Sequence, residues 1–265
     1  HCEAQYSLGQ KYTEDKSRHK DNEQAIFWLK KAALQGHTFA SNALGWTLDR
    51  GEAPNYKEAV VWYQIAAESG MSYAQNNLGW MYRNGNGVAK DYALAFFWYK
   101  QAALQGHSDA QNNLADLYED GKGVAQNKTL AAFWYLKSAQ QGNRHAQFQI
   151  AWDYNAGEGV DQDYKQAMYW YLKAAAQESV GAYVNIGYMY KHGQGVEKDY
   201  QAAFEWFTKA AECNDATAWY NLAIMYHYGE GRPVDLRQAL DLYRKVQSSG
   251  TRDVSQEIRE TEDLL

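Results

Sequence analysis

Apolar residues in the segment 74–106 recur at the spacing of two amphipathic helices separated by a turn. The first helix is indicated by Ala74, Leu78, Met81 and Tyr82. The second is indicated by residues at i, i+3, i+4 and i+7, namely Ala95, Trp98, Tyr99 and Ala102. Between the two runs, residues 85–88 read Gly-Asn-Gly-Val, and glycine readily adopts the left-handed conformation that many helix ends require. The pattern therefore predicts a helix–turn–helix hairpin.

The same hairpin pattern recurs along the chain. Tryptophans follow one another at intervals of 34 and then 36 residues: Trp28, Trp62, Trp98, Trp134, Trp170 and Trp206. Pairs of glycines also return every 36 residues: Gly85/Gly87, Gly121/Gly123, Gly157/Gly159, Gly193/Gly195 and Gly229/Gly231. A fixed period of this length is typical of stacked repeats, because a single helix pair cannot bury its apolar face alone.

The period divides the chain into seven predicted hairpins followed by a charged tail. The hairpins are predicted at residues 4–36, 37–70, 71–106, 107–142, 143–178, 179–214 and 215–250. In the tail, residues 251–265, Val254 and Ile258 fall on one helical face together with Leu264 or Leu265. We therefore expect a C-terminal helix that caps the last hairpin.

Polar and small residues predict how each hairpin begins and packs. Asp91 stands where the N-cap of a second helix belongs, and Ser108 is expected to cap the first helix of the following hairpin. Gly79 lets the two helices of its hairpin approach closely. The tryptophans of the second helices, such as Trp98 and Trp134, are expected to fill the space beside this position as core residues.

Three hairpins depart from the pattern. The first loop has Asp15 and Ser17 where other loops have glycine. The second loop is two residues shorter than the later ones and reads Gly51-Glu52-Ala53-Pro54. The fifth hairpin ends in Glu178 rather than glycine, which predicts a less sharply turned junction with the next hairpin.

The repeated unit resembles the Sel1-like repeat family, which is related to tetratricopeptide repeats. The shared pattern is A-x-x-x-L-G-x-x-Y-x-x-G-x-G-V, then D-Y-x-x-A-x-x-W-Y-x-K-A-A-x-x-G, and its clearest copies run from Ala74 to Gly106 and from Ala110 to Gly142. The resemblance covers essentially the whole chain. It implies an all-α fold, a right-handed α-solenoid of about seven helix-turn-helix repeats whose first helices line a concave face. It also implies an adaptor or scaffold, typically bacterial.

Composition and charge exclude several other classes of protein. The chain has 26 Lys and Arg against 32 Asp and Glu, a net charge of −6, so no basic nucleic-acid footprint is present. Its apolar stretches are too short to span a membrane. Two cysteines, Cys2 and Cys213, are too few for a disulfide scaffold and are expected to stay unpaired. We expect a monomer of the bacterial cytoplasm or periplasm, and the start at His1 is typical of a processed or trimmed chain.

The sequence carries no motif for catalysis, metal binding or a cofactor. The repeated Gly-x-Gly-Val is interpreted as a hairpin turn rather than a phosphate loop, because no strand precedes it and Gly-x-Gly recurs in all five hairpins from the third to the seventh. The patterns H-E-x-x-H, G-x-S-x-G and Walker A do not occur. His37 and His107 lie two hairpins apart, too far to share a metal ion. We therefore predict a non-enzyme without cofactors.

The residues expected on the concave face are the candidate binding site. The related tetratricopeptide geometry implies that this face presents the positions two before, two after and five after the leucine of each first helix. The candidates are Asn42, Trp46, Asn76, Trp80, Arg83, Asn112, Asp116, Trp152, Tyr188, Lys191 and Tyr220. Asparagine amides suit an extended peptide backbone, and amphipathic rings supply apolar area with a polar handle. The other interpretation is that these rings only pack on neighbouring first helices.

These features predict a scaffold that binds a peptide or protein segment on the concave face. The alternative is a groove for glycans such as cell-wall fragments, since sugars stack on tryptophan rings and amides bind hydroxyl groups.

Overall fold

The computed structural model describes residues 1–14, 21–51 and 53–265, without the side chain of residue 14. Fifteen α-helices and no strand are found in this part of the chain. Asp15 and Ser17, which depart from the repeat, lie outside the described residues. The chain divides into two compact units, His1–Gln141 (unit 1) and Gly142–Leu265 (unit 2).

Unit 1 contains four helix pairs. Its helices are α1 (Cys2–Glu14), α2 (Asn22–Ala33), α3 (Thr38–Asp49), α4 (Tyr56–Glu68), α5 (Ser72–Asn84), α6 (Tyr92–Leu104), α7 (Ser108–Asp120) and α8 (Lys128–Gln140). Odd-numbered helices are the first helices of the hairpins. Their leucines Leu44, Leu78 and Leu114 are fully buried, so each first helix contributes its apolar stripe to the core.

Unit 2 contains three helix pairs and one further helix. These are α9 (Arg144–Ala156), α10 (Tyr164–Ala175), α11 (Val180–His192), α12 (Tyr200–Glu212), α13 (Ala216–Tyr228), α14 (Leu236–Ser249) and α15 (Ser255–Asp263). Val254, at the start of α15, is fully buried, and Ile258 packs with Ala223 and Tyr243. The last helix is therefore attached to the α13/α14 pair through apolar contacts.

The predicted N-caps of the second helices are confirmed, whereas those of the first helices are wrong. The Asp91 carboxylate accepts hydrogen bonds from the backbone N–H groups of Ala93 and Leu94. Ser108, however, is already the first residue of α7. The preceding His107 is the N-cap, and its Nδ1 atom accepts from the Ala110 N–H at 3.3 Å. The helix begins one residue earlier than expected because His107 leaves the turn in an extended conformation.

A tyrosine rather than a tryptophan packs beside the small position of the first helix. A Cβ atom on Gly79 would lie 2.7 Å from the ring of Tyr99, and Tyr99 is fully buried. Trp98 and Trp134, expected in the core, are only half-buried, and each stacks edge-on with the exposed ring before it, Phe97 or Phe133. In the α5/α6 and α7/α8 hairpins the core residue is therefore the one after the tryptophan, whereas Trp62 and Trp170 are themselves only 7% exposed.

Left-handed turns connect the helices even where glycine is missing. Gly85 ends α5 at φ 75°, as predicted. A Cβ on Gly87 would lie 2.4 Å from the Tyr56 carbonyl, so this position requires glycine for close approach of the loop to α4. Glu178 adopts φ 61° without glycine's freedom. The prediction of a less sharply turned junction is therefore wrong. A non-glycine residue makes the left-handed turn there, at a cost in backbone strain.

Candidate partner-binding site

Four positions on each of the first helices α3, α5 and α7 form one stripe, which we call the unit 1 face. They lie five and two residues before, and two and five residues after, the buried leucine, so they recur at i, i+3, i+7 and i+10 along one side of the helix. On α3 they are Phe39, Asn42, Trp46 and Asp49; on α5 they are Tyr73, Asn76, Trp80 and Arg83; on α7 they are Asp109, Asn112, Asp116 and Glu119.

The unit 1 face carries four exposed aromatic rings. Trp46 and Trp80 are each 41% exposed, and Phe39 and Tyr73 are 59% and 62% exposed. Sequence reasoning identified the two tryptophans but missed Phe39 and Tyr73. The signal was available, since both precede the asparagine of their helix by three residues and so extend the same stripe. Apolar rings left open to solvent in register on two helices are typical of an interaction surface.

Asn42 and Asn76 are held in position by amides of the next first helix. Asn77 Nδ2 donates to Asn42 Oδ1 at 3.1 Å, and Asn113 Nδ2 donates to Asn76 Oδ1 at 3.1 Å. Each acceptor oxygen is therefore engaged, while the Nδ2 groups of Asn42 and Asn76 have no partner among the described residues. The face presents two oriented amide donors that a ligand oxygen can use.

Asn112 differs from the other two asparagines. It is only 8% exposed, and its Oδ1 atom is buried without a hydrogen-bond partner among the described residues. A buried acceptor without a donor costs free energy, about 1–3 kcal/mol. Asn112 is thus an unsatisfied group at the α7 end of the face rather than an exposed amide like Asn76.

Charged side chains on the unit 1 face are paired with one another and with tyrosines of the core. Arg83 Nη1 lies 3.0 Å from Asp116 Oδ2, and the Tyr135 hydroxyl donates to Asp116 Oδ1 at 2.8 Å. The Tyr63 hydroxyl likewise donates to Asp49 at 2.8 Å, and burial raises the pKa of this carboxyl above its usual range. These contacts fix the Asp49 and Asp116 carboxyl groups, and the face as a whole is acidic, with four carboxyl groups against the one guanidinium of Arg83.

The equivalent positions of unit 2 are largely used for contacts within the unit. Trp152 remains exposed. The Tyr188 hydroxyl accepts from Asn221 Nδ2 at 2.9 Å, and Lys191 Nζ lies 2.7 Å from Glu230 in an ion pair that is mostly shielded from solvent. Of these three predicted positions in unit 2, one presents an exposed ring and two carry polar groups that already have partners within the unit.

The last helix covers part of the unit 2 face. The Tyr220 hydroxyl donates to Glu257 of α15 at 3.3 Å, and the Arg252 guanidinium lies 3.8 Å from the centre of the Tyr220 ring. Nδ1 of His227 lies 3.1 Å from Oγ1 of Thr261 on the same helix. Tyr220 is thus brought against α15 rather than left open.

Gly181, the glycine outside the repeat pattern, has a local role in unit 2. It occupies the position that Phe39 and Tyr73 hold in unit 1, and a Cβ there would lie 3.0 Å from the ring of Phe148. The missing side chain makes room for this ring, and the half-buried Phe148 lines a cavity of about 370 Å³ together with Gly181.

Neither a metal cluster nor a membrane-spanning helix is found in the described ranges. No group of three or more His, Cys, Asp or Glu side chains in them could hold a metal ion. None of the described helices is long and apolar enough to cross a membrane. Cys2 and Cys213 are both free thiols.

Comparison with known families agrees with the repeat geometry. The Sel1 repeat model matches residues 2–37, 38–71, 72–107, 108–143, 144–179, 180–215 and 216–245. The chain belongs to the Sel1 repeat family. These seven Sel1 repeats each contain a first and a second helix, as in the hairpins described above.

Two solved structures of Sel1-type proteins from bacteria are similar to the chain. One is a protective antigen present in uropathogenic Escherichia coli strains, which displays an SLR fold. It is 35% identical with a TM-score of 0.87, and the match covers 94% of this chain and 54% of the antigen. The other is a Sel1 repeat protein from Oxalobacter formigenes, 33% identical with a TM-score of 0.74 over 81% of this chain and 86% of that one. The chain thus spans about half the length of the antigen, and its predicted all-α solenoid class is confirmed.

Membership of the Sel1 repeat family also sets the general kind of function. Sel1 and tetratricopeptide-like repeats are generally scaffolds for protein interactions. Family membership does not say which surface of this chain is used, because function resides in particular sites on a fold.

Proposed function

We propose that this Sel1 repeat chain is a non-catalytic scaffold that binds an extended protein segment on the unit 1 face. The observation that carries the proposal is the pair of oriented, unengaged amide donors on Asn42 and Asn76 beside the exposed rings of Trp46 and Trp80. Donors and rings lie at matching positions of α3 and α5, so the same contact pattern is offered twice.

An extended polypeptide matches these groups chemically. Its main-chain carbonyl oxygens accept hydrogen bonds at regular intervals, and each asparagine Nδ2 group can donate to one of them. Its side chains can cover the exposed rings, which bury large apolar areas at little cost in conformational entropy. Because the amides are already held by Asn77 and Asn113, little ordering is needed on binding.

The remaining predicted residues take different parts in this proposal. Arg83 and Asp116 form a rim of fixed, mutually neutralised charge, and Asn112 offers a buried acceptor. In unit 2 we assign partner contact to Trp152. Tyr188, Lys191 and Tyr220 already have internal partners, so a ligand there would compete with Asn221, Glu230 and Glu257.

A glycan is the competing ligand, since tryptophan rings and amide donors also suit sugars. One observation weighs against it: the Arg50 guanidinium lies over one face of the Trp46 ring, 5.5 Å from its centre, so that face is not free for a stacked sugar. The choice between the two classes is made by the experiment below.

The test compares variants that differ in the face they alter. The wild-type chain and the variants Trp80→Ala and Phe97→Ala are immobilised, and proteins retained from a lysate of the source organism are identified and then purified. Phe97 is the matched control, because it is a 47% exposed ring on the second helix α6. Titration calorimetry with the purified partner is expected to show at least a ~30-fold weaker Kd, about 2 kcal/mol, for Trp80→Ala. Phe97→Ala should bind normally.

Two results would contradict the proposal. One is normal partner binding by Trp80→Ala together with loss of binding by Phe97→Ala, which would place the site on the second helices. The other is saturation of the wild-type chain by soluble cell-wall glycan fragments with the same dependence on Trp80, which would favour the glycan function.

A further inference from the structure

A cavity of about 230 Å³ opens on the unit 1 face between α1 and α3. Phe39 and Trp46 form its exposed walls, Met71 at the start of α5 closes one side, and Tyr6 of α1 closes the other. Asn42, one of the two oriented amide donors, also lines it. The cavity is therefore part of the surface to which we assign partner binding.

The cavity exists because one repeat position is occupied by a smaller residue. The residue before the buried leucine is asparagine in the next two first helices, Asn77 and Asn113, and each donates to the helix before it. In α3 the same position is Ala43, which lines the cavity. An alanine there leaves the space between α1 and α3 open, where an amide fills the space in the following hairpins.

Most polar groups around the cavity are engaged elsewhere. Gln10 Nε2 donates to the Tyr6 hydroxyl at 2.7 Å, and the Thr47 hydroxyl donates to the Ala43 carbonyl at 2.9 Å. The Thr13 hydroxyl donates to the Gln10 carbonyl at 2.7 Å. The Nδ2 group of Asn42 has no partner among the described residues and stays available as a donor.

Size and charge restrict what can occupy the cavity. Every lining side chain among the described residues is neutral, so a charged group placed inside would lose its hydration without gaining a counter-ion from them. Small-molecule sites usually measure about 300–1,000 Å³, which is more than this cavity offers. The dimensions, the apolar surfaces of Phe39, Trp46 and Met71, and the internal hydrogen bonds of Gln10, Thr13 and Thr47 fit one uncharged side chain of a longer ligand.

We propose that this cavity is a specificity pocket that takes one apolar side chain of the bound segment, while a main-chain carbonyl of that segment accepts from Asn42 Nδ2. The pocket rests on the proposed function, because it selects among segments that the unit 1 face binds. It defines the partner class more narrowly as a segment with an uncharged apolar anchor.

The pocket is tested with small probes that carry one side chain each. The chain is labelled with 5-fluorotryptophan, and the Trp46 fluorine signal is assigned by its loss in Trp46→Phe. N-acetyl-leucinamide is expected to shift this signal in a saturable manner. N-acetyl-lysinamide, N-acetylglycinamide and N-acetylglucosamine at the same concentration are expected to leave it in place. An equal shift with the lysine or glycine probe, or with the sugar, would overturn the proposal.

A variant that fills the pocket provides the second arm. Ala43→Asn introduces the residue that α5 and α7 already have at this position, so the fold should accept it. It is expected to weaken N-acetyl-leucinamide binding at least tenfold, whereas the matched control Ala93→Asn, an exposed position on α6, should bind like wild type. Unchanged binding by a folded Ala43→Asn, judged by its thermal unfolding, would refute the pocket. If Ala43→Asn does not fold, the probe series on the wild-type chain decides alone.

The same variants separate the pocket from the broader proposal. With the purified partner, normal binding by Ala43→Asn together with weak binding by Trp80→Ala would remove the pocket and keep the unit 1 face as the binding site. Normal binding by both variants would remove both assignments.

Discussion

The first-helix faces of the two units use the same repeat positions in different ways. In unit 1, Asn42 and Asn76 present amide donors without partners among the described residues, and the rings beside them are exposed. In unit 2, the corresponding positions hold Phe148, Val184 and Tyr220, which pack against Gly181, lie buried, or contact α15. The unit 1 face is open to a ligand, whereas most of the corresponding positions in unit 2 make contacts within that unit.

This difference shows that a repeat position has no fixed role. The side-chain oxygen of an asparagine two residues before the leucine can accept a hydrogen bond from an amide of the next helix. Its Nδ2 group can still donate to a ligand. At the same position of unit 2, the rings of Phe148 and Tyr220 lie against Gly181 and Arg252 instead. The residue type at each position and the packing around it together decide whether the side chain stays open to solvent or packs.

The largest expected effect concerns the buried tyrosines, which separate core from surface. Tyr99→Ala should lower the free energy of unfolding by about 3–5 kcal/mol, because a fully buried ring is replaced by a cavity. Trp80→Ala should cost much less stability, since its ring is already exposed. Urea denaturation of the full chain followed by circular dichroism measures both. Equal losses at the two positions would show that Trp80 also serves packing.

A pair of asparagines tests the comparison between the units directly. Asn221 in unit 2 is buried and donates both to the Tyr188 hydroxyl and to the Thr217 carbonyl, so Asn221→Ala should cost about 1–3 kcal/mol of stability. Asn76→Ala in unit 1 should instead weaken partner binding by about 1–3 kcal/mol, with a smaller effect on unfolding. In urea denaturation Asn221→Ala should show the larger loss of stability, and in calorimetry Asn76→Ala should show the larger loss of partner affinity. If one variant shows the larger loss in both measurements, the two units do not differ in this way.

The His107 N-cap of α7 predicts that the stability of the folded chain depends on pH. Burial lowers the pKa of His107, against the opposing effect of Asp109, and the ring contacts Tyr73 edge-on. The folded chain therefore favours neutral His107, whose Nδ1 accepts from the Ala110 N–H. This stability is present above the unfolded value of about 6.5 and is lost as the pH falls from there to the lower pKa of the folded state.

The measurement is urea denaturation of wild type and His107→Asn between pH 7.5 and pH 5. Asparagine caps a helix without titrating, as Asn143 does at the start of α9. The variant should lose less stability on acidification than wild type, by up to about 0.5–2 kcal/mol, the usual worth of an N-cap. Identical pH profiles would show that the cap does not titrate in this range.

The smallest expected effect concerns lysines on the second helices. Lys100→Ala and Lys137→Ala should change the free energy of unfolding by no more than about 0.5 kcal/mol and leave partner binding unchanged, because exposed charges contribute little. Loss of binding in either variant would mean that the second helices, rather than the unit 1 face, carry a partner contact.

The sequence by itself determined the hairpins and their turns, because these follow from local rules. The apolar spacing indicated helices, Gly85 indicated the left-handed end of α5, and Asp91 indicated the N-cap of α6. Each depends on residues within a few positions of one another. Trp46 and Trp80 were likewise predicted to share a face with the asparagines, and their exposure agrees with that placement.

Only the tertiary structure decided which of several locally equivalent residues takes each role. Trp98 and Tyr99 are adjacent and both apolar, so periodicity cannot say which of them meets Gly79; the approach of the two helices selects the tyrosine. Asn76 and Asn112 occupy the same repeat position, yet the packing around α7 buries Asn112 alone. Tyr220 matched a binding position in the sequence but lies against α15, because a helix distant in sequence covers it. Burial depends on neighbours that are remote along the chain, and local patterns do not specify them.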